Sequence, residues 1–244
     1  MAYSVETYTP NRKGPVSALF YGPAGSGKTT LAASFPEPLI IDMDRGLKSL
    51  EKPVKRIKLA GVTGAYDIVI EILRDALLGT GEFAAGKSLV GVKTIVIDSI
   101  TALANEYLMP ELMLTVPDTR KTEGPKFEEY GKLKYRMNQL SSIIKDLSAK
   151  MNVILTATPI TEKDDRTGIT MGRPDIIGSY RETIGAVVDE EYYLEAQVIN
   201  GAAPKFKLYA APRGVYEAKT RTLSKFEFEN ATYPALQAAL KPQA

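Results

Sequence analysis

Cysteine and histidine are both absent from the 244 residues. Without cysteine there are no disulfides and no thiolate metal sites. Without histidine as well, Ser-His-Asp and Cys-His nucleophiles and His-ligated zinc sites are excluded. Chemistry here falls to carboxylates, lysine, arginine, hydroxyls, backbone N–H groups and a hard cation. Long apolar runs are missing too. No stretch reaches bilayer-spanning length, and Met1–Pro10 is polar with no apolar core of signal-peptide length. The expectation is a cytoplasmic protein with no membrane partner. Asn230-Ala231-Thr232 is then a chance glycosylation sequon. An excess of one charge is also lacking: the net charge is +2, so any basic binding surface must be local.

What is present suits one sizeable core. Hydrophobic residues make up 44% and charged residues 25%, consistent with a single α/β domain over residues 1–244. Val16–Tyr21 is a short apolar run, read as a buried strand, and Thr29–Phe35 as the following helix, stopped near Pro36 and Pro38. Leu39–Asp44, Lys93–Ile97 and Asn152–Ala157 read as further core strands. Tyr66–Leu78 has helical periodicity, and a helix is expected from about Ile100. Tyr130, Leu133, Met137, Leu140, Ile144 and Leu147 form one apolar stripe of a long helix packed on a sheet. Met113–Pro125 and Ile160–Asp175 read as polar loops. Glu191–Ile199 and Lys205–Ala210 flank Asn200-Gly201-Ala202-Ala203-Pro204, a hairpin signal, and Gly214–Thr220 could add another strand. Strands alternating with helices and ending in a meander predict a mainly parallel sheet flanked by helices, with an antiparallel C-terminal extension.

The densest motif is Gly22-Pro23-Ala24-Gly25-Ser26-Gly27-Lys28-Thr29, with Thr30 next. Gly22 and Gly27 let the backbone curl so that consecutive N–H groups face one concavity at the start of a helix, a ready site for phosphates. Lys28 adds a point charge for the β- and γ-phosphates, and Thr29 a hydroxyl for magnesium. The pattern follows a strand and opens a helix, which specifies ATP with Mg2+. Thr94-Ile95-Val96-Ile97-Asp98 is an apolar strand ending in an acid, the form taken by the second magnesium contact. Asp42 and Asp44 close another strand. Alternation puts both on the same face, so spacing alone does not choose which polarises the attacking water.

These residues resemble the RecA-type ATPase core over roughly Val16–Arg221. Ile41-Asp42-Met43-Asp44-Arg45-Gly46-Leu47 is similar to the RecA segment Ile-Asp-Ala-Glu-His-Ala-Leu, whose Glu is catalytic, and this assigns that role to Asp44. Asp44 is one methylene shorter than that Glu. Val96-Ile97-Asp98-Ser99-Ile100-Thr101-Ala102-Leu103 resembles the Walker B segment Val-Val-Asp-Ser-Val-Ala-Ala-Leu. Val153–Thr158 stands where the family has its sensor strand, with Thr158 in place of the usual Gln or His. Ala218-Lys219-Thr220-Arg221 looks like the Lys-x-Arg finger of DnaB-type and related RecA-fold ATPases, so Lys219 and Arg221 are expected to act across a subunit interface of a homo-oligomer. Compact chains of this size resemble phage RecA-like proteins that act as single-strand annealing or recombination ATPases. The bacterial host cytoplasm is then the setting.

The resemblance implies two loops that hold single-stranded DNA. The first carries Arg120 and Lys121; the second carries Lys163, Arg166 and Arg173 against Glu162, Asp164, Asp165 and Asp175. From Gly201 to Ala244 there are seven Lys or Arg and three Asp or Glu, a modest phosphate-tracking excess. The expected activity is a DNA-dependent ATPase. A nucleotide-gated assembly or loading protein is the alternative, and a small-molecule P-loop kinase is disfavoured by the absence of a clear Arg-rich lid.

Overall fold

The computed structural model describes residues 11–85, 88–198 and 203–242. The expected turn residues Asn200, Gly201 and Ala202 and the segment Met1–Pro10 lie outside these. Ten strands are placed: β1 (Ser17–Tyr21), β2 (Pro38–Asp42), β3 (Lys55–Lys58), β4 (Thr94–Asp98), β5 (Asn152–Ala157), β6 (Pro159–Lys163), β7 (Thr170–Pro174), β8 (Glu190–Gln197), β9 (Lys205–Tyr209) and β10 (Glu227–Glu229). Eight form one sheet in the order β10-β9-β8-β1-β5-β4-β2-β3. From β3 to β8 all neighbours are parallel, and β9 and β10 add antiparallel. The expected parallel sheet with an antiparallel C-terminal extension is thus present.

Strand alternation splits the core into two layers. Leu19, Ile41, Ile97 and Leu155 face the helices Ala65–Leu78 and Phe127–Leu147. Phe20, Ile40, Val96 and Ile154 face the opposite way, toward Leu31 of the short helix Lys28–Ala33 and Leu236 of the C-terminal helix Tyr233–Ala238. Tyr130, at the start of the expected stripe, is exposed, but in the rest of the long helix Leu133, Met137, Leu140, Ile144 and Leu147 are buried, as their spacing requires. Truncating any one of these to alanine costs about 2–5 kcal/mol. The helix starts where Glu129 accepts a hydrogen bond from the Lys126 backbone N–H at 2.8 Å, and the same buried carboxylate pairs with Arg120.

Three local expectations change. Ile160–Asp175 is not a loop: it holds the antiparallel hairpin β6–β7, a separate two-stranded sheet. Gly214–Thr220 forms no strand and makes only single bridges, Tyr216 to Gly172 and to Arg213, and Lys219 to Glu191. Gly214 has φ 60°, a turn conformation that interrupts an extended run. Strand β2 stops at Asp42, so the chain has already turned before Asp44. Met43 N donates to Asp98 O at 2.7 Å, and the backbone reaches a left-handed φ of 60° at Arg45. The alternation rule that would set Asp42 and Asp44 on one face therefore does not apply.

Candidate nucleotide site

Parallel strands deliver their carboxyl ends to one edge of the sheet. Here that edge collects the Gly22–Thr29 loop after β1, Asp44 after β2, Asp98 at the end of β4 and Thr158 after β5. Strand β5 lies between β1 and β4, so a cleft opens between the loop and Asp98. The cleft has a volume of about 360 Å3 and is lined by Ala24 through Thr30, Asp44, Asp98, Ser99 and Thr158 among others.

The loop explains its glycines. A Cβ on Gly22 would fall 2.0 Å from the Leu194 carbonyl oxygen of β8, so any side chain there would collide with backbone. Gly27 has φ 89°, a conformation that L side chains rarely adopt, and caps the helix Lys28–Ala33 without a side-chain hydrogen bond. The first helical N–H groups thus lack the side-chain acceptor found at most helix starts, which is the arrangement an anion completes. Beside the same cleft Ser26 Oγ is buried with no hydrogen-bond partner among the described residues.

Lys28 Nζ donates to the carbonyls of Gly22 at 2.7 Å and Pro23 at 2.8 Å, folded back over its own loop. Burial lowers its pKa, while Asp98 and Asp44 act in the opposite direction. Thr29 Oγ1 donates to Asp98 Oδ2 at 2.9 Å. Thr156 donates to the other oxygen, Asp98 Oδ1. Burial raises the Asp98 pKa, offset by these two hydroxyls and by Lys28. Among the described residues no three acids or other ligating side chains gather to hold a metal by themselves. A hydroxyl and one carboxylate suit magnesium, which takes few protein ligands and completes its shell with phosphate oxygens and water.

The two candidate carboxylates separate clearly. Asp42 is 1% exposed; its Oδ1 accepts from Arg45 N at 2.8 Å and its Oδ2 pairs with Arg56 at 3.4 Å. One oxygen closes the turn after β2 and the other pairs with β3. Asp44 lines the phosphate cleft and also a second cleft on its far side, beside Ser99, Asn105, Glu106 and Thr158. Burial raises its pKa, with Asp98 and Glu106 adding to the rise and the Ser99 side chain opposing it.

Thr158 N donates to Thr101 Oγ1 at 3.1 Å, and Thr158 O accepts from Asp175 N at 2.8 Å. The β6–β7 hairpin thus leaves from and returns to the sensor position. Lys163 and Arg166 are exposed at its tip. Arg173 stands apart from them: it lies at the hairpin base and pairs with Glu217 at 3.5 Å and Glu182 at 3.9 Å. In the other expected DNA segment Arg120 is committed to Glu129, and Lys121 pairs with Asp118 at 2.6 Å. The C-terminal excess of positive charge is likewise partly internal, since Lys205 and Lys207 pair with Glu227 and Glu229.

Lys219 and Arg221 lie toward the amino end of β8, away from the edge that carries their own phosphate loop. Lys219 exchanges backbone hydrogen bonds with Glu191 and its Nζ donates to Val188 O at 2.9 Å. Arg221 pairs with Asp189 at 2.8 Å and is 60% exposed. Glu191 beside them is buried, and its pKa is pushed up to about 7, first by burial and then by Glu217.

The residues that sequence reasoning passed over are Thr156, which donates to Asp98, and Phe206 of β9, which rims the cleft. Thr156 lay in the strand assigned to the sensor, where only Thr158 was singled out, and nothing near Phe206 in the chain marks it.

No described helix is long and apolar enough to cross a membrane. No curated protein matches the chain. Among solved structures, a crystal structure of the RadB recombinase is similar at 14% identity and a TM-score of 0.45, over 80% of each chain. The family model described as an AAA domain matches residues 15–222. That span runs from just before the P-loop strand to just past Arg221, and so takes in every wall of the phosphate cleft: the chain belongs to the AAA domain family of P-loop ATPases.

Proposed function

We propose that this chain binds ATP with Mg2+, hydrolyses it, and couples hydrolysis to single-stranded DNA as a RecA-like recombination or annealing protein of the phage type. The observation that supports this best is the Thr29–Asp98 hydrogen bond of 2.9 Å inside a cleft that also contains Lys28 and Asp44. Loop N–H groups bind the phosphates. Lys28 exchanges its two carbonyl partners for phosphate oxygens. Thr29 and Asp98 would hold the magnesium ion, which when bound neutralises phosphate charge. Asp44 orients water for in-line attack on the γ-phosphorus as the bond to ADP breaks.

Coupling to DNA rests on the hairpin. Its two ends meet at Thr158, so a strand held by Lys163 and Arg166 would communicate with the γ-phosphate position through one residue. Arg173 supports the hairpin from its base, and its salt bridges favour that role over direct DNA contact.

Lys219 and Arg221 fit action on a neighbouring subunit's nucleotide in a homo-oligomer, because they face away from their own loop. Lys219 would have to leave Val188 O to do so. Arg221→Ala should bind ATP normally and hydrolyse it at least about tenfold more slowly. Mixing it with Lys28→Ala protein should restore part of the turnover, since one subunit brings the intact loop and the other the intact arginine. Turnover assays on mixtures shown to co-assemble check this. No rescue there means Arg221 serves only its Asp189 pair.

A further inference from the structure

The phosphate cleft has two flanks. On one, Gly46 and Ser49 offer small surfaces with no ring and no branched apolar side chain. On the other, the cleft shares Ser26, Gly27, Thr30 and Phe206 with an adjoining cavity of about 210 Å3. The remaining walls of that cavity include Leu31, Leu194, Leu208 and Ala231, and none of them is acidic. A triphosphate gripped by the loop must settle its base on one flank. A flat aromatic base gains most where an aromatic ring and aliphatic side chains can cover it.

Phe206 is placed to serve. Its ring packs against the loop itself: a Cβ on Gly27 would lie 3.3 Å from Phe206 Cδ1. The residue is also held firmly. Phe206 N donates to Asn230 Oδ1 at 3.2 Å, and Asn230 N donates to Phe206 O at 2.7 Å. Asn230 closes this pair from a left-handed φ of 49°, a conformation that asparagine tolerates better than most residues. The buried, unpartnered Ser26 hydroxyl borders both spaces, so a polar donor and acceptor waits where phosphate cleft and cavity join.

We propose that this cavity receives the nucleobase of the bound nucleoside triphosphate, with Phe206 as its stacking platform. The assignment rests on the phosphate-site reading above and adds to it the residues that recognise the base. Phe206 comes from β9, some 180 positions after the loop in the chain, so the antiparallel extension of the sheet becomes part of the nucleotide site.

The test compares equilibrium binding of Mg-ATP and Mg-tripolyphosphate by the full chain, by Phe206→Ala and by Ala231→Phe. Phe206→Ala removes the platform. Ala231→Phe fills the cavity from another wall and leaves Phe206 against Gly27, so an effect common to both is not a loosened loop. The wild type should hold ATP about tenfold more tightly than tripolyphosphate. Each variant should lose most of that advantage while its tripolyphosphate affinity stays within about twofold. Substitutions that weaken both ligands alike, or neither, overturn the base assignment while leaving the phosphate site standing. A wild-type protein that binds neither ligand overturns the phosphate-site reading, and the base assignment with it.

Discussion

Replacing Lys28 with alanine should abolish ATP binding or turnover and leave the protein folded. The Lys28 side chain belongs to neither apolar core layer. Its hydrogen-bond partners are two carbonyls of its own loop, Gly22 O and Pro23 O. Losing those bonds costs about 1 kcal/mol of stability. Against a triphosphate the loss is far larger, because a fixed positive charge at the β- and γ-phosphates acts in a water-poor cleft. Turnover should fall at least about 100-fold. Nucleotide titration and a thermal melt on the same preparation check both halves. A folded Lys28→Ala protein that hydrolyses ATP at the wild-type rate contradicts the site.

Asp44→Asn should separate chemistry from binding. Its carboxylate lines the cleft without holding any described strand edge together. A group that acts on water in the transition state shows its loss mainly in kcat. The expected drop is about 100- to 1000-fold, with ATP affinity within about threefold of wild type. Removing a negative charge beside the phosphates also favours binding slightly. Asp42→Asn should do the opposite. Asp42 is buried, and the change weakens its pair with Arg56, costing about 1–3 kcal/mol of stability with little effect on turnover per folded molecule. Steady-state kinetics and denaturant unfolding on both variants decide it. A folded Asp42→Asn protein with the kinetic defect, beside an active Asp44→Asn, shifts the alignment by two residues.

The phosphate loop was legible from residues alone because each position has a separate physical job: glycines where backbone crowds or turns left-handed, a lysine for charge, a threonine for the cation. The parallel core was legible for a similar reason, since Thr94–Asp98 and Asn152–Ala157 are buried on both faces and read as unbroken apolar runs. The choice between Asp42 and Asp44 was not. It depends on β2 ending at Asp42, where Asp42 Oδ1 accepts from Arg45 N and closes a turn that leaves no mark in the apolar pattern. The β6–β7 hairpin was read as a loop because β6 is largely exposed and β7 has only Met171 as a large apolar side chain, so charged residues and Gly168 break any apolar alternation. Strand β3, Lys-Arg-Ile-Lys, escaped notice in the same way: it sits at the sheet edge with one apolar side chain. In the opposite error, Gly214–Thr220 was read as a strand where the chain only bridges. Phe206 could not be seen as a site residue at all, because its meeting with Gly27 exists only once β9 has paired with β8.

The most direct measurement is ATP hydrolysis by the purified full chain, with and without single-stranded DNA, at low and high salt. A Mg2+-dependent turnover that single-stranded DNA raises about tenfold or more, and that falls back as salt displaces the strand, is the predicted result. A protein that binds ATP yet hydrolyses none of it, with or without DNA, contradicts the account and leaves a nucleotide-gated assembly protein in its place.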